Sequence, residues 1–260
     1  EILRSFAFTR DNPFFIQTSF QTITYPTTGF APAFSGVQAV DIDNDNDIDL
    51  VLSNDAGSGF GGGHITVIRN SLELGIGFGG AVFQTNGEAF STLSTRAQDL
   101  VLDDFDGDGS PDVVVISDVN RTGFTFMANS GVGTFGSSLF TPSVAGLNAV
   151  TSGDVNGDGR PDVILLSDSS ILVFENLGGT VPAFAAGAVI ATGGFAGVDV
   201  VTGDFNDDGN LDIAATDSNN SEDVIVSFGN GAGAFGSAQL FATGLVTSFQ
   251  GAALVTADFN

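Results

Sequence analysis

The sequence predicts an all-β fold assembled from repeated four-stranded units. Three observations carry that expectation: short Val/Ile/Leu/Phe runs divided by Gly, Asn, Asp and Ser clusters, the lack of any long segment of helical period, and one acidic motif that returns along the 260 residues.

Four stretches align in register: AVDIDNDNDIDLVLSND ending at Asp55, VLDDFDGDGSPDVVVISD ending at Asp118, TSGDVNGDGRPDVILLSD ending at Asp168, and VTGDFNDDGNLDIAATD ending at Asp217. Their first acidic positions are Asp41, Asp104, Asp154 and Asp204, and a fifth copy starts at Asp258, so successive copies stand 63, 50, 50 and 54 residues apart. A period of that size suits four short strands with their turns. The unit beginning near Asn148 shows the layout: a strand into Gly153, an acidic loop, strands at 163–166 and 171–174, a glycine loop, and a strand near 185–191.

The strand after each acidic loop is apolar on both faces, as at 50–52, 113–116, 163–166 and 213–215. A sheet has that composition when both of its faces are covered. Four-stranded sheets stacked face to face supply the cover, which predicts a β-propeller with complete blades at 35–97, 98–146, 147–196 and 197–250. Residues 171–184, ILVFENLGGTVPAF, have a counterpart in ILRSFAFTRDNPFF at the start of the chain. Residues 1–34 are therefore expected to end a preceding blade and 251–260 to begin a further one, the chain being a segment of a larger ring.

Composition narrows the function classes. Asp and Glu number 31 against 6 Lys and Arg, a formal net charge of −25, which disfavours nucleic acid and anionic membrane surfaces by repulsion and makes cations the natural partners. With 42% hydrophobic residues, 25 Phe and only 14% charged residues, the acidic chain can still bury a core. There is no cysteine, so disulfides and thiolate metal sites are excluded. No apolar run approaches the length of a membrane-spanning helix, and no membrane insertion is expected.

The repeated loop reads D-x-[DN]-x-D-[GN]-x-x-D. It is met by Asp41, Asp43, Asp45 and Asp49; by Asp104, Asp106, Asp108 and Asp112; by Asp154, Asn156, Asp158 and Asp162; and by Asp204, Asn206, Asp208 and Asp212. Fourteen of these sixteen side chains are carboxylates, and so many in nine residues repel one another unless a cation sits among them. All-oxygen ligation with tolerance for irregular geometry selects calcium over magnesium. About four calcium sites are expected, with the seventh-position carbonyls of Asp47, Ser110, Arg160 and Asn210 as fifth protein ligands. The sixth position is Gly109, Gly159 and Gly209, which permits positive φ, and Asn46 in the first loop is the next most tolerant choice. An EF-hand would need an acidic twelfth residue, but that position holds Leu52, Val115, Leu165 and Ala215 inside predicted strands. The bland alternative is that these are metal-free Asp/Asn/Gly turns.

The acidic loop, the Val/Leu strand after it, and a following Asn-x-Gly-x-Gly-x-Phe-Gly segment resemble the FG-GAP/VCBS repeat family, kin to the head of integrin α chains. The second half is carried by the segments 129–136, NSGVGTFG, and 230–236, NGAGAFG, and is degenerate at 178–184. The resemblance covers the whole chain and implies a propeller of about seven blades with calcium in hairpins on one face.

Other features are weaker. His64 is the lone histidine, beside a glycine loop, and is a poor basis for a catalytic set. The glycine loops lack the lysine of a phosphate cradle. Carboxylate pairs repeated in every unit argue for structure rather than glycoside hydrolysis. Polar pairs ending each second strand, at 54–55, 117–118, 167–168 and 216–217, are read as turns, and the enlarged loop 55–64 as a contact site.

The functional expectation is a secreted or cell-surface, non-enzymatic calcium-binding propeller used as a rigid adhesion or ligand-binding scaffold for an extracellular protein or glycan. The alternatives are a propeller module of a larger secreted carbohydrate-active enzyme, and a purely architectural surface repeat.

Overall fold

The computed structural model describes residues 34–54, 63–70, 88–92, 97–117, 122–193, 197–217, 223–242 and 253–256. The first sheet holds β1 (Phe34–Val40), β2 (Asp49–Asn54), β3 (His64–Ile68) and β4 (Glu88–Ser91). The second holds β5 (Ala97–Asp103), β6 (Asp112–Ser117), β7 (Gly123–Asn129) and β8 (Phe135–Pro142). The third holds β9 (Leu147–Gly153), β10 (Asp162–Ser167), β11 (Ser170–Asn176) and β12 (Phe184–Ala191), and the fourth β13 (Gly197–Gly203), β14 (Asp212–Asp217), β15 (Val224–Ser227) and β16 (Gln239–Phe241). Each sheet is an antiparallel meander in chain order. The first strands are neighbours from sheet to sheet, β1 with β5, β5 with β9 and β9 with β13, so they are the inner strands and the fourth strands form the rim.

The architecture is an all-β propeller with four blades, one for each predicted unit. The expected partial blade before residue 34 and the loop starting at Asp258 lie outside the described residues, as does the enlarged loop at 55–62. Among the described residues no helix is long and apolar enough to cross a membrane.

The double-sided hydrophobicity of the second strands has a direct cause. On β6, Val113 and Val115 pack toward the first blade, while Val114 and Ile116 pack toward the third. On β10, Val163 and Leu165 face the second blade, and Ile164 and Leu166 the fourth. The cores thus lie between blades, and side chains alternating across the pleat serve two of them.

Phenylalanines close the loop end of these cores. Phe184 meets Phe105 and Phe124 edge-on with centroids 6.0 and 5.3 Å apart, and Phe135 meets Phe90 at 5.3 Å. Phe235 packs against the core between the third and fourth blades. Phe135, Phe184 and Phe235 therefore do one job, although the sequence around Phe184 had lost the surrounding motif.

Polar ties join the inner strands. Val150 N donates to Asp99 Oδ2 at 2.9 Å and Ser152 Oγ to Asp103 Oδ2 at 2.8 Å. Thr202 Oγ1 donates to the Ser152 carbonyl at 2.9 Å. The segment 253–256 repeats the scheme on β13, with Leu254 N on Asp199 Oδ2 at 2.6 Å and Thr256 Oγ1 on the Thr202 carbonyl at 3.3 Å.

Candidate metal centres

Each acidic loop joins the inner strand of a blade to its second strand. The first-position carboxylate shapes the turn by accepting the sixth-position N–H: Asp41 from Asn46 at 2.8 Å, Asp104 from Gly109 at 2.9 Å, Asp154 from Gly159 at 2.7 Å and Asp204 from Gly209 at 2.8 Å. The backbone requires positive φ at that sixth position, as expected, with φ of 70° at Asn46 and 84–90° at Gly109 and Gly209. It also requires positive φ at the fourth position, which the sequence reading passed over: Asn44, Gly107, Gly157 and Asp207 all have it. Those residue types were the available signal, since each tolerates the left-handed region better than most.

The ninth-position aspartates are fully buried and occupy a fixed hydrogen-bonded seat. One oxygen accepts the second-position N–H of its own loop, and the other the N–H at the end of the third strand. Asp49 is held by Ile42 and Asn70, Asp112 by Phe105 and Asn129, Asp162 by Val155 and Asn176, and Asp212 by Phe205 and Gly229. Burial pushes the Asp49 and Asp162 carboxyls up to about 6 and that of Asp112 up to about 7, against the lowering effect of these hydrogen bonds.

The remaining carboxylates face solvent or each other. Burial, followed by the Asp45 charge, raises Asp43, and burial raises Asp106. Hydrogen bonds from the loop backbone, Gly209 first, lower Asp204. Asp45, Asp106 and Asp108 each accept an N–H from two residues on, and Asn156 and Asn206 do the same through Oδ1.

Two of the four loops gather three carboxylates around one point. Ligand oxygens of Asp41, Asp43 and Asp49 lie within 4.8 Å of one another, and so do those of Asp104, Asp106 and Asp108. Asp45 stands outside the first group and Asp112 outside the second. The loops of Asp154 and Asp204 form no such group among the described residues. A hard cation fits the first loop, because Asp43 Oδ1 is buried there without a hydrogen-bond partner. The other expected ligands, the carbonyls of Asp47, Ser110, Arg160 and Asn210, belong to residues on the same loops, and Ser110 is buried.

Sequence reasoning missed the polar groups that brace these loops. Asn129 Nδ2 donates to the carbonyl of Ile42 in the preceding blade at 2.8 Å and to that of Pro111 in its own at 3.1 Å. Asn176 repeats this with Phe105 and Pro161, at 2.8 and 3.1 Å. The clue was an Asn at one place in three units, Asn70, Asn129 and Asn176.

In the fourth blade that place belongs to Gly229, so Asn230, which the sequence reading paired with Asn129, corresponds instead to Ser130. The hydrogen bonds fix the register, with Ser130 N on the Thr134 carbonyl and Asn230 N on that of Ala234. Here Gly233 N reaches the Val155 carbonyl at 3.1 Å and replaces the missing carboxamide. A Cβ at Gly229 would stand 2.1 Å from the Leu211 carbonyl oxygen. Restoring the repeat with Gly229→Asn is therefore expected to destabilise the protein by about 1–3 kcal/mol in denaturant unfolding. A more stable variant would show that the strand can back away.

Arg69 was also missed. Its Nε lies 3.2 Å from Asp43 Oδ2, its Nη1 donates to Glu88 Oε1 at 2.8 Å, and its Nη2 donates to the carbonyls of Val132 and Gly133 at 3.0 and 2.9 Å. In the third blade Arg160 pairs with Asp158 and donates through Nε to the Asn176 carbonyl at 2.8 Å.

Comparison with known proteins agrees with this geometry. A family described as FG-GAP-like repeat matches residues 104–165 and 154–215. No curated protein sequence matches the chain. Among solved structures the chain is similar to BBS1N in complex with ARL6DN, at TM-score 0.50 and 12% identity over 84% of this chain and 59% of that one. It is also similar to an Agrocybe aegerita lectin described as recognising non-reducing terminal N-acetylglucosamine, at TM-score 0.46 and 19% identity over 79% of this chain and 65% of that one. The V. cholerae biofilm matrix protein Bap1 follows at TM-score 0.39 and 13% identity, over 79% of this chain and 39% of that one. The chain thus spans less than two thirds of the length of each, and the likeness to BBS1N, at 12% identity, speaks to the fold alone.

Proposed function

Since residues 104–215 of this chain match the FG-GAP-like repeat family, we propose that it is an extracellular calcium-binding propeller, a non-catalytic scaffold that presents its loops to a protein or glycan. The observation that carries the reading is the return of one carboxylate loop at the same strand junction of every blade, with three ligand oxygens converging in each of the first two.

Asp41, Asp43 and Asp49 would hold one ion, and Asp104, Asp106 and Asp108 another; calcium supplies the positive charge that lets these carboxylates stay ionised side by side. The ninth-position aspartates fix each loop to its own third strand, and the Asn129 and Asn176 carboxamides fix it to the next blade. Ordering a loop therefore stiffens the joint between blades, which suits a surface for adhesion.

Two arguments support an extracellular setting. Open loops of this type bind at roughly 10⁻⁴–10⁻³ M, a concentration found outside cells, and a net charge of −25 favours solubility and cation uptake. The docking of 253–256 on β13 supports a ring that continues past the fourth blade, and the family suggests about seven blades in all.

The test is calorimetric titration of chelator-treated protein, followed by glycan and matrix-protein arrays with and without calcium. Saturable uptake by at least two sites and partner capture that requires calcium are expected. Absence of uptake at millimolar calcium would leave the loops as turns.

A further inference from the structure

We propose that Arg69 is a resident counter-cation of the first acidic loop, which makes that loop a weaker calcium site than the second and less dependent than the second on calcium for its fold. This rests on the reading of the loops as calcium sites.

The residue before the brace position is Arg69 in the first blade, Ala128 in the second, Glu175 in the third and Phe228 in the fourth. Only the first places a guanidinium there. Arg69 and Asp43 are largely buried, with 15% and 18% of their side chains exposed, so salt screens the pair little. Arg160 and Asp158 in the third loop are 41% and 30% exposed, and that pair is screened much more.

The seat of Arg69 is built by the neighbouring blade. Val132 and Gly133 offer their carbonyls, and a Cβ at Gly133 would come within 2.9 Å of Nη2 and 3.1 Å of Nε. Close packing and two carbonyl hydrogen bonds thus hold the guanidinium beside the loop. The contact with Asp43 is ionic rather than a directed hydrogen bond, since Nε has no aligned acceptor. Asp43 turns Oδ2 toward Arg69, its Oδ1 is buried without a hydrogen-bond partner, and one of its oxygens belongs to the group with Asp41 and Asp49.

A fixed positive charge beside a ligand oxygen acts in two directions. Without metal it offsets the mutual repulsion of Asp41, Asp43, Asp45 and Asp49. With metal it opposes a divalent ion a few ångströms away, and Coulomb's law at an interface-like dielectric makes that worth about tenfold or more in affinity. The second loop has four carboxylates and no cation in contact among the described residues, so it should bind more tightly and lose more order when stripped.

The experiment compares chelator-treated parent chain with Arg69→Gln, which keeps donors but loses the charge, and Arg69→Lys, which keeps the charge. Calcium titration calorimetry and metal-free melting are read on each. Arg69→Gln is expected to lower the metal-free melting temperature and to tighten one site about tenfold or more, and adding Asp41→Asn should remove that tightened site. Arg69→Lys should retain the parent affinities. Unchanged or weaker binding in Arg69→Gln, or tightening in Arg69→Lys, overturns the counter-cation role. A parent chain that takes up no calcium overturns the calcium reading itself, so the two failures are distinguishable.

Discussion

Metal-free protein is expected to melt at a lower temperature at pH 8 than at pH 5.5, and saturating calcium is expected to reverse that order. The buried carboxyls of Asp49 and Asp162 titrate at about 6 and that of Asp112 at about 7, all above the ordinary carboxylate value because burial penalises the charged form. A raised carboxyl binds its proton more tightly folded than unfolded. Its contribution is fully present below the unfolded pKa and is lost as pH rises through the folded one, so stability falls between about pH 4 and 7. Asp99 on the inner strand, raised to about 6 by burial and next by the Asp199 charge, adds to the same slope.

Calcium changes the sign because it binds the ionised loops and competes with protons for them. At a free concentration about 100-fold above Kd, each occupied site adds about 2.7 kcal/mol, on the order of 5–10 °C for a chain of this size. Two occupied sites then outweigh the proton effect at pH 8, while acidification releases the metal. Melting curves at both pH values, with chelator and with calcium, give four numbers. If the chelated protein is insensitive to pH, the buried aspartates are not the proton sites; if calcium gives no rise at pH 8, the loops are not metal sites.

The blades were legible because their signal is local. The nine-residue loop repeats at fixed offsets, and the strand after it is hydrophobic on both faces because β6 and β10 each serve two cores. Each of the four sheets therefore carries one copy of the acidic loop between its first and second strands. The braces were harder to read, since they depend on pairings between blades. Nothing in the spacing says that Asn129 reaches Ile42, 87 positions away, or that Arg69 reaches Gly133, 64 away.

The ninth position shows the same limit from the other side. Its Asp in every unit announced a ligand, yet it is also the acceptor that ties the loop to its third strand, a role that spacing alone cannot separate from metal binding. In the second blade it lies outside the convergent group altogether, whereas in the first Asp49 belongs to it. The four loops are thus graded rather than equivalent. The fourth blade makes a related point: its apparent motif Asn is shifted by one residue because only glycine fits against the Leu211 carbonyl.

Replacing Asp112 by Ala is expected to cost stability with or without calcium, whereas replacing Asp108 is expected to matter only with it. Asp112 is fully buried and accepts N–H groups from Phe105, Asp106 and Asn129 at 3.1, 3.2 and 2.8 Å. Alanine offers no acceptor, so the buried Asn129 N–H and the part-buried Asp106 N–H lose their partner at about 1–3 kcal/mol each, while the Phe105 N–H keeps the Asp103 carbonyl at 3.0 Å. A loss of about 3–5 kcal/mol is a large share of the stability of a domain. It should appear as a drop in the denaturant midpoint in chelator and in calcium alike. Asp108 is exposed and among the described residues accepts the Ser110 N–H alone, at 2.8 Å, yet it belongs to the convergent group of the second loop. Asp108→Ala should therefore leave the chelated midpoint nearly unchanged and remove the gain that calcium confers through this loop. Equal losses for both variants in chelator would mean that the exposed carboxylates hold the turn as firmly as the buried one. A calcium gain that survives Asp108→Ala undiminished would place the ion elsewhere than among Asp104, Asp106 and Asp108.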